Sequence, residues 1–100
     1  MDVVNFSENW NNKLNCRCFS TLRLRNDAKY RAGNVHEIKC KGLVSYPAAI
    51  VEVKPIYLHQ LTEGMCALDT GYSKLDTTNI IRKMYPRVNF EQKQMVWVLY

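Results

Sequence analysis

Glycine and proline are scarce in this 100-residue chain, at four and three residues respectively. That leaves little room for long flexible linkers and points to a single domain spanning residues 1–100. No apolar run reaches the length that crosses a membrane, so no membrane partner is expected. The opening MDVVNFSENW lacks a basic flank followed by an apolar core, which argues against secretion and a disulfide framework. The expectation is a cytoplasmic protein whose Cys16, Cys18, Cys40 and Cys66 are reduced, mostly buried thiols. Metal-ligand spacing is missing too. Cys16 and Cys18 enclose one residue where zinc knuckles enclose about two to four, and no Cys or His pair follows at matching spacing. No metal or other cofactor is expected, and the isolated His36 and His59 read as surface or packing residues.

Acidic residues are also scarce, but only in one stretch. The chain carries a net charge of +5. Between Lys13 and Lys41 eight basic residues face only Asp27 and Glu37, a net +6, so the remainder is close to neutral. A clustered basic segment is the footprint of a polyanion-binding surface, or simply the solvated face of two strands. The hydrophobic fraction of 47% and charged fraction of 23% are those of an ordinary folded domain.

Within that segment CFSTLRLR (18–25) alternates as a strand, with Cys18, Ser20, Leu22 and Leu24 on one face and Phe19, Thr21, Arg23 and Arg25 on the other. Before it, NFSENWNNKL spaces Phe6, Trp10 and Leu14 four apart and predicts a short helix or helical turn, weakened by its asparagines. After it come a loop over 26–34, a strand over 35–40, and a β-rich run at Ala49–Val53 closed by Pro55. Residues 58–68 read as one or two helical turns and 69–72 as a loop. Ser73 and Asp76 start a helix that Pro86 ends, and QMVWVLY reads as a buried strand pairing centrally. The order predicts an α+β fold: a mixed, largely antiparallel sheet or small barrel with short helices at its ends.

The runs STLRLRNDAKYRAGNV (20–35) and LTEGMCALDTGYSKLDTTNIIRKMYP (61–86) resemble the ASCH domain family. The resemblance implies a PUA-like fold, a small β-barrel associated with RNA. The nearer likeness is to the small bacterial N(4)-acetylcytidine amidohydrolases of that family, in which a lysine, a threonine and a glutamate are taken to carry amide hydrolysis. Matched residue by residue, Thr21 stands at the nucleophile, Arg23 at the arginine two residues on, Arg17 at a basic residue just before the lysine, and Asp69 at the glutamate. Cys18 stands where those enzymes have the activating lysine. A hydroxyl needs a base to become a nucleophile, and guanidinium stays protonated, so Arg17 cannot replace the lysine. A thiolate at Cys18 would itself be the nucleophile, and in principle Lys13 could swing in from the N-terminal segment.

The sequence therefore favours a module that binds RNA or a nucleotide or nucleoside without catalysis, using Arg17, Thr21, Arg23, Arg25, Lys29 and Asp69, with Tyr30 and Tyr72 stacking on bases. One alternative is an amidohydrolase acting on an acylated cytidine-type nucleoside through Thr21, Asp69 and Cys18. Another is a protein-interaction accessory domain, for which the apolar MVWVLY end permits a homodimer.

Overall fold

The computed structural model describes residues 2–42 and 44–100. Six strands form two three-stranded sheets: β1 (Asp2–Phe6), β3 (Val35–Cys40) and β4 (Val44–Ala49) in the order β1-β3-β4, and β2 (Ser20–Leu24), β6 (Met95–Leu99) and β5 (Glu52–Ile56) in the order β2-β6-β5. Among the described residues only β1 and β3 pair in parallel. Two helices, α1 (Glu63–Thr70) and α2 (Lys74–Met84), and two 3-10 turns, Trp10–Asn15 and Leu58–Gln60, complete an α+β architecture. Among the described residues the pairings form these two sheets, with no strand ladder joining one to the other. Among the described residues no helix is long and apolar enough to cross a membrane.

Alternation along β6 explains the layering. Val96, Val98 and the following Tyr100 face a core shared with the first sheet, where Val4, Phe6, Ile38 and Cys40 meet them. Met95 on the opposite face joins Leu22, Ile56, Leu61, Cys66 and Ile81 in a second core beneath the helices, with Trp97 packed against it. A strand flanked by two partners and covered on both faces must be apolar throughout, as QMVWVLY is. The central position expected for it is the one observed.

Two segments differ from the sequence expectation. Residues 2–6 form a parallel strand, so Phe6 and Leu14 do not share a helix; the helical turn starts only at Trp10. The run Ala49–Val53 is not one strand but the crossing between sheets. Ile50 N–H bonds Asn34 O at 2.9 Å beside β3, and Val51 N–H bonds Leu99 O at 2.8 Å beside β6. Pro47 and Pro55 then lie inside β4 and β5, both edge strands, where a missing N–H can face away from the ladder.

The helices end by local rules. Thr62 Oγ1 accepts the Met65 N–H at 3.1 Å and Ser73 Oγ accepts the Asp76 N–H at 3.2 Å, so each hydroxyl satisfies an orphan donor at a helix start. α1 closes on Gly71 in the left-handed region (φ 80°), which extends it through Asp69 and Thr70, the residues read from sequence as loop. The Thr70 and Thr77 hydroxyls bond at 2.8 Å and join α1 to α2.

Candidate functional site

The 3-10 turn Trp10–Asn15 is bent by Asn11 and Asn12, at φ 56° and 53°. Asparagine tolerates this left-handed conformation because its short amide can bond locally. Asn11 also donates to Ala67 O near the end of α1 (3.4 Å), Leu14 N–H bonds Asn9 Oδ1 (2.9 Å), and Tyr46 hydroxyl donates to Leu14 O (2.8 Å). Held this way, the turn buries Lys13, at 5% exposure, against Asp69 of α1, at 4%. The ammonium donates to Asp69 Oδ1 in a buried ion pair.

Thr21 on the edge strand β2 lies beside this pair, 3% exposed, and accepts a hydrogen bond from Arg23 Nε at 3.1 Å. The Arg23 guanidinium lies 4.4 Å from the centroid of the Phe6 ring, and Lys13 Nζ 5.4 Å from it, so one aromatic ring serves two cations. Lys13, Thr21, Arg23 and Asp69 line one recess of about 50 Å³. Its mouth carries the half-buried Trp10 and Tyr85 and the exposed Met84.

Burial sets the electrostatics. It pushes the Lys13 ammonium below its ordinary range, opposed by the Asp69 charge and hydrogen bond and assisted by the positive charge of Arg23. Burial likewise raises the Asp69 carboxyl, opposed by Lys13 and Arg23. Both shifts narrow the proton-affinity gap between the two groups and lower the cost of moving a proton between them. A lysine and a carboxyl brought closer in proton affinity therefore share one recess with a hydroxyl and an arginine donor.

Of the residues singled out from sequence, Thr21, Arg23 and Asp69 share this recess. Cys18 precedes β2, is exposed, and lines a different cavity. The lysine that reaches the recess, Lys13, comes from another part of the chain. Arg17 is exposed on the segment before β2. Arg25 pairs with Asp27 at 2.8 Å and donates to Gln94, and Lys29 Nζ donates to Val3 O at 3.1 Å. Tyr30 is buried in the core edge-on to His36, so its ring is not presented for stacking on a base. Tyr72 is half exposed and packs edge-on against Trp10 at 6.0 Å, outside the recess.

The basic segment is not a continuous cationic face. Lys13, Arg25, Lys39 and Lys41 pair with Asp69, Asp27, Glu37 and Glu8. Cys16 joins Cys18 at the surface, so only Cys40 and Cys66 match the expected buried thiols. Among the described residues no three His, Cys, Asp or Glu side chains gather as a metal site. Phe6 and Trp10 are the site residues that sequence reasoning had not placed there, and Lys13 had entered only as a lysine that could swing in from the N-terminal segment. The adjacent pair Asn11-Asn12, with its tolerance of the left-handed turn, was the one local signal.

Comparisons with protein-family models, with curated proteins and with solved structures found no match for this chain.

Proposed function

We propose that this chain is a small ASCH-type amidohydrolase acting on an acylated cytidine-type nucleoside. The observation that carries the proposal is the convergence of the buried Lys13–Asp69 pair with Thr21 and Arg23 in one recess. The sequence argument against catalysis was the lysine missing at Cys18, and the presence of Lys13 in the recess supports the catalytic reading in its place. Two sheets sharing one core support a PUA-like barrel in which β1-β3-β4 and β2-β6-β5 form the two halves. The substrate class rests on the resemblance alone.

In the proposed reaction the Lys13 amine takes the Thr21 proton as Thr21 Oγ1 attacks the acyl carbon. Arg23 stabilises the developing negative charge. The C–N bond breaks and the departing amine takes its proton from the Asp69 carboxyl. Water then attacks the acyl-threonine, giving its proton to the Asp69 carboxylate. Thr21 leaves with the proton held on Lys13, which restores amine and acid. A recess of about 50 Å³ admits the acyl end, and the remainder of the nucleoside lies across the mouth by Trp10 and Met84.

The test is incubation with N(4)-acetylcytidine and detection of free cytidine. Thr21→Val is expected to abolish release, and Lys13→Met to lower it about 10²–10⁴-fold, the usual worth of a positioned general base. Absence of cytidine after long incubation at high protein concentration overturns the proposal. The second reading, RNA or nucleoside binding without turnover, draws on Arg23, which has no ion-pair partner among the described residues. It requires salt-dependent binding of short RNA that Arg23→Ala weakens.

A further inference from the structure

The fold sorts the four cysteines into two kinds. Cys40 and Cys66 are buried, at 5% and 0% exposure, in separate cores, each remote from solutes. Cys16 and Cys18 are free and exposed, and both line one cavity of about 300 Å³. Thiol exchange needs access for the attacking or attacked sulfur, so it is open to this pair and closed to the other two.

Only Arg17 separates the two thiols. Cα atoms two residues apart are at most about 7 Å from each other, and the backbone bends through residues 16–18, which shortens that span. A disulfide needs Cα atoms about 4.4–6.8 Å apart and Cβ atoms turned the same way. Both side chains line the same cavity, which supplies the common side and the room for the sulfurs to meet. The flanks are fixed as well. Cys16 N–H bonds Lys13 O at 3.0 Å, and Phe19 exchanges backbone hydrogen bonds with Tyr100 at 3.1 and 2.9 Å. The thiols are therefore held near each other before they react, at the joint between the turn that carries Lys13 and the strand that carries Thr21. Two thiolates are too few for a structural zinc, which takes about four ligands, and among the described residues no third His, Cys, Asp or Glu joins them.

We propose that Cys16 and Cys18 are a reversible dithiol–disulfide pair, a redox-modification site whose co-reactant is a low-molecular-weight disulfide of the glutathione type. One cysteine thiolate attacks the co-reactant, forms a mixed disulfide and releases one glutathione thiolate. The second cysteine thiolate attacks the protein sulfur of that mixed disulfide, closes the Cys16–Cys18 bond and releases the other glutathione. Two cysteine thiols are oxidised, one disulfide is reduced to two thiols, and the two cysteine protons end on the two glutathiones. A ring that encloses a single residue strains the new bond, and strained, exposed disulfides are the ones readily reduced again. The pair stands whether or not the hydrolase reading holds, because that reading uses Thr21 as the nucleophile.

The test is incubation of the full chain with glutathione disulfide, followed by alkylation of the remaining thiols, intact-mass measurement and tryptic mapping after unfolding. Trypsin cuts after Arg17, between the two cysteines, so the disulfide joins the peptides 14–17 and 18–23. The expected product is a monomer lacking two hydrogens, with those peptides joined and Cys40 and Cys66 still thiols. Cys16→Ser and Cys18→Ser each keep one exposed thiol and are expected to retain glutathione. The wild type is expected to retain less than about a tenth as much, because its second thiol acts at high effective concentration. Excess reduced glutathione is expected to return the wild type to the dithiol. The proposal is overturned if both thiols stay free, or if the wild type holds glutathione as fully as the single variants. A disulfide that joins two chains, that involves Cys40 or Cys66, or that reduced glutathione does not reopen, overturns it as well.

Discussion

Lys13 follows the half-buried Trp10 and the exposed Asn11 and Asn12, in a segment whose other residues mostly stay in water. It is buried because a carboxylate 56 positions away waits for it. Breaking such a pair from one side leaves an uncompensated buried charge, which typically costs about 3–5 kcal/mol. Lys13→Met and Asp69→Leu are each expected to lose stability on that scale, read as a lowered urea midpoint. The double variant is expected to recover a large part of the loss, because no lone charge remains. Losses that simply add would show that the two side chains are not coupled.

At the scale of elements, the site is held by the end of α1. Gly71 occupies the left-handed region, and a Cβ there would meet the Asn11 side chain at 3.3 Å. Gly71→Ala therefore strains the backbone and pushes on the turn that carries Lys13. The expected destabilisation is about 1–2 kcal/mol from the left-handed conformation alone, measured by thermal or urea unfolding. A neutral Gly71→Ala would mean that the helix end relaxes freely. The same contact explains why 69–72 looked like a loop. The sequence DTGY carries a glycine stop, but how many residues precede the stop is decided by α1 packing Cys66 and Thr70 inward.

At the scale of the molecule, the two sheets are joined through His36 of β3 and Tyr100 beyond β6, whose Nδ1 and hydroxyl lie 2.6 Å apart. His36 is 1% exposed, and burial holds its imidazole below the ordinary histidine value. The folded state therefore binds fewer protons here than the unfolded chain once the pH drops below the unfolded value of about 6.5. Stability present above that pH is lost as the pH falls, at up to about 1.4 kcal/mol per pH unit. Urea midpoints measured between pH 7.5 and pH 5 should decline in the wild type and decline less in His36→Gln. Equal slopes would place the titrating group elsewhere.

Patterns within a dozen residues were legible in the sequence: the alternation of β2 and β3, the Ser73 cap, the Pro86 stop and the doubly apolar β6. Each follows from local sterics, local hydrogen bonding or the two-residue period of a strand. So was the α+β class, since the order of elements limits how they can be layered. Local pattern failed where the deciding contact was distant. β1 is a strand because β3 is there to pair with it. Ala49–Val53 divides because two different sheets claim its two halves. The basic segment looked like one surface, yet tertiary packing buried Lys13, placed Arg23 over Phe6 and tied Arg25 to Asp27. Chemistry-bearing residue types are written in the chain, but which of them share a solvent-poor recess is a property of the folded molecule, because desolvation and proximity exist only there.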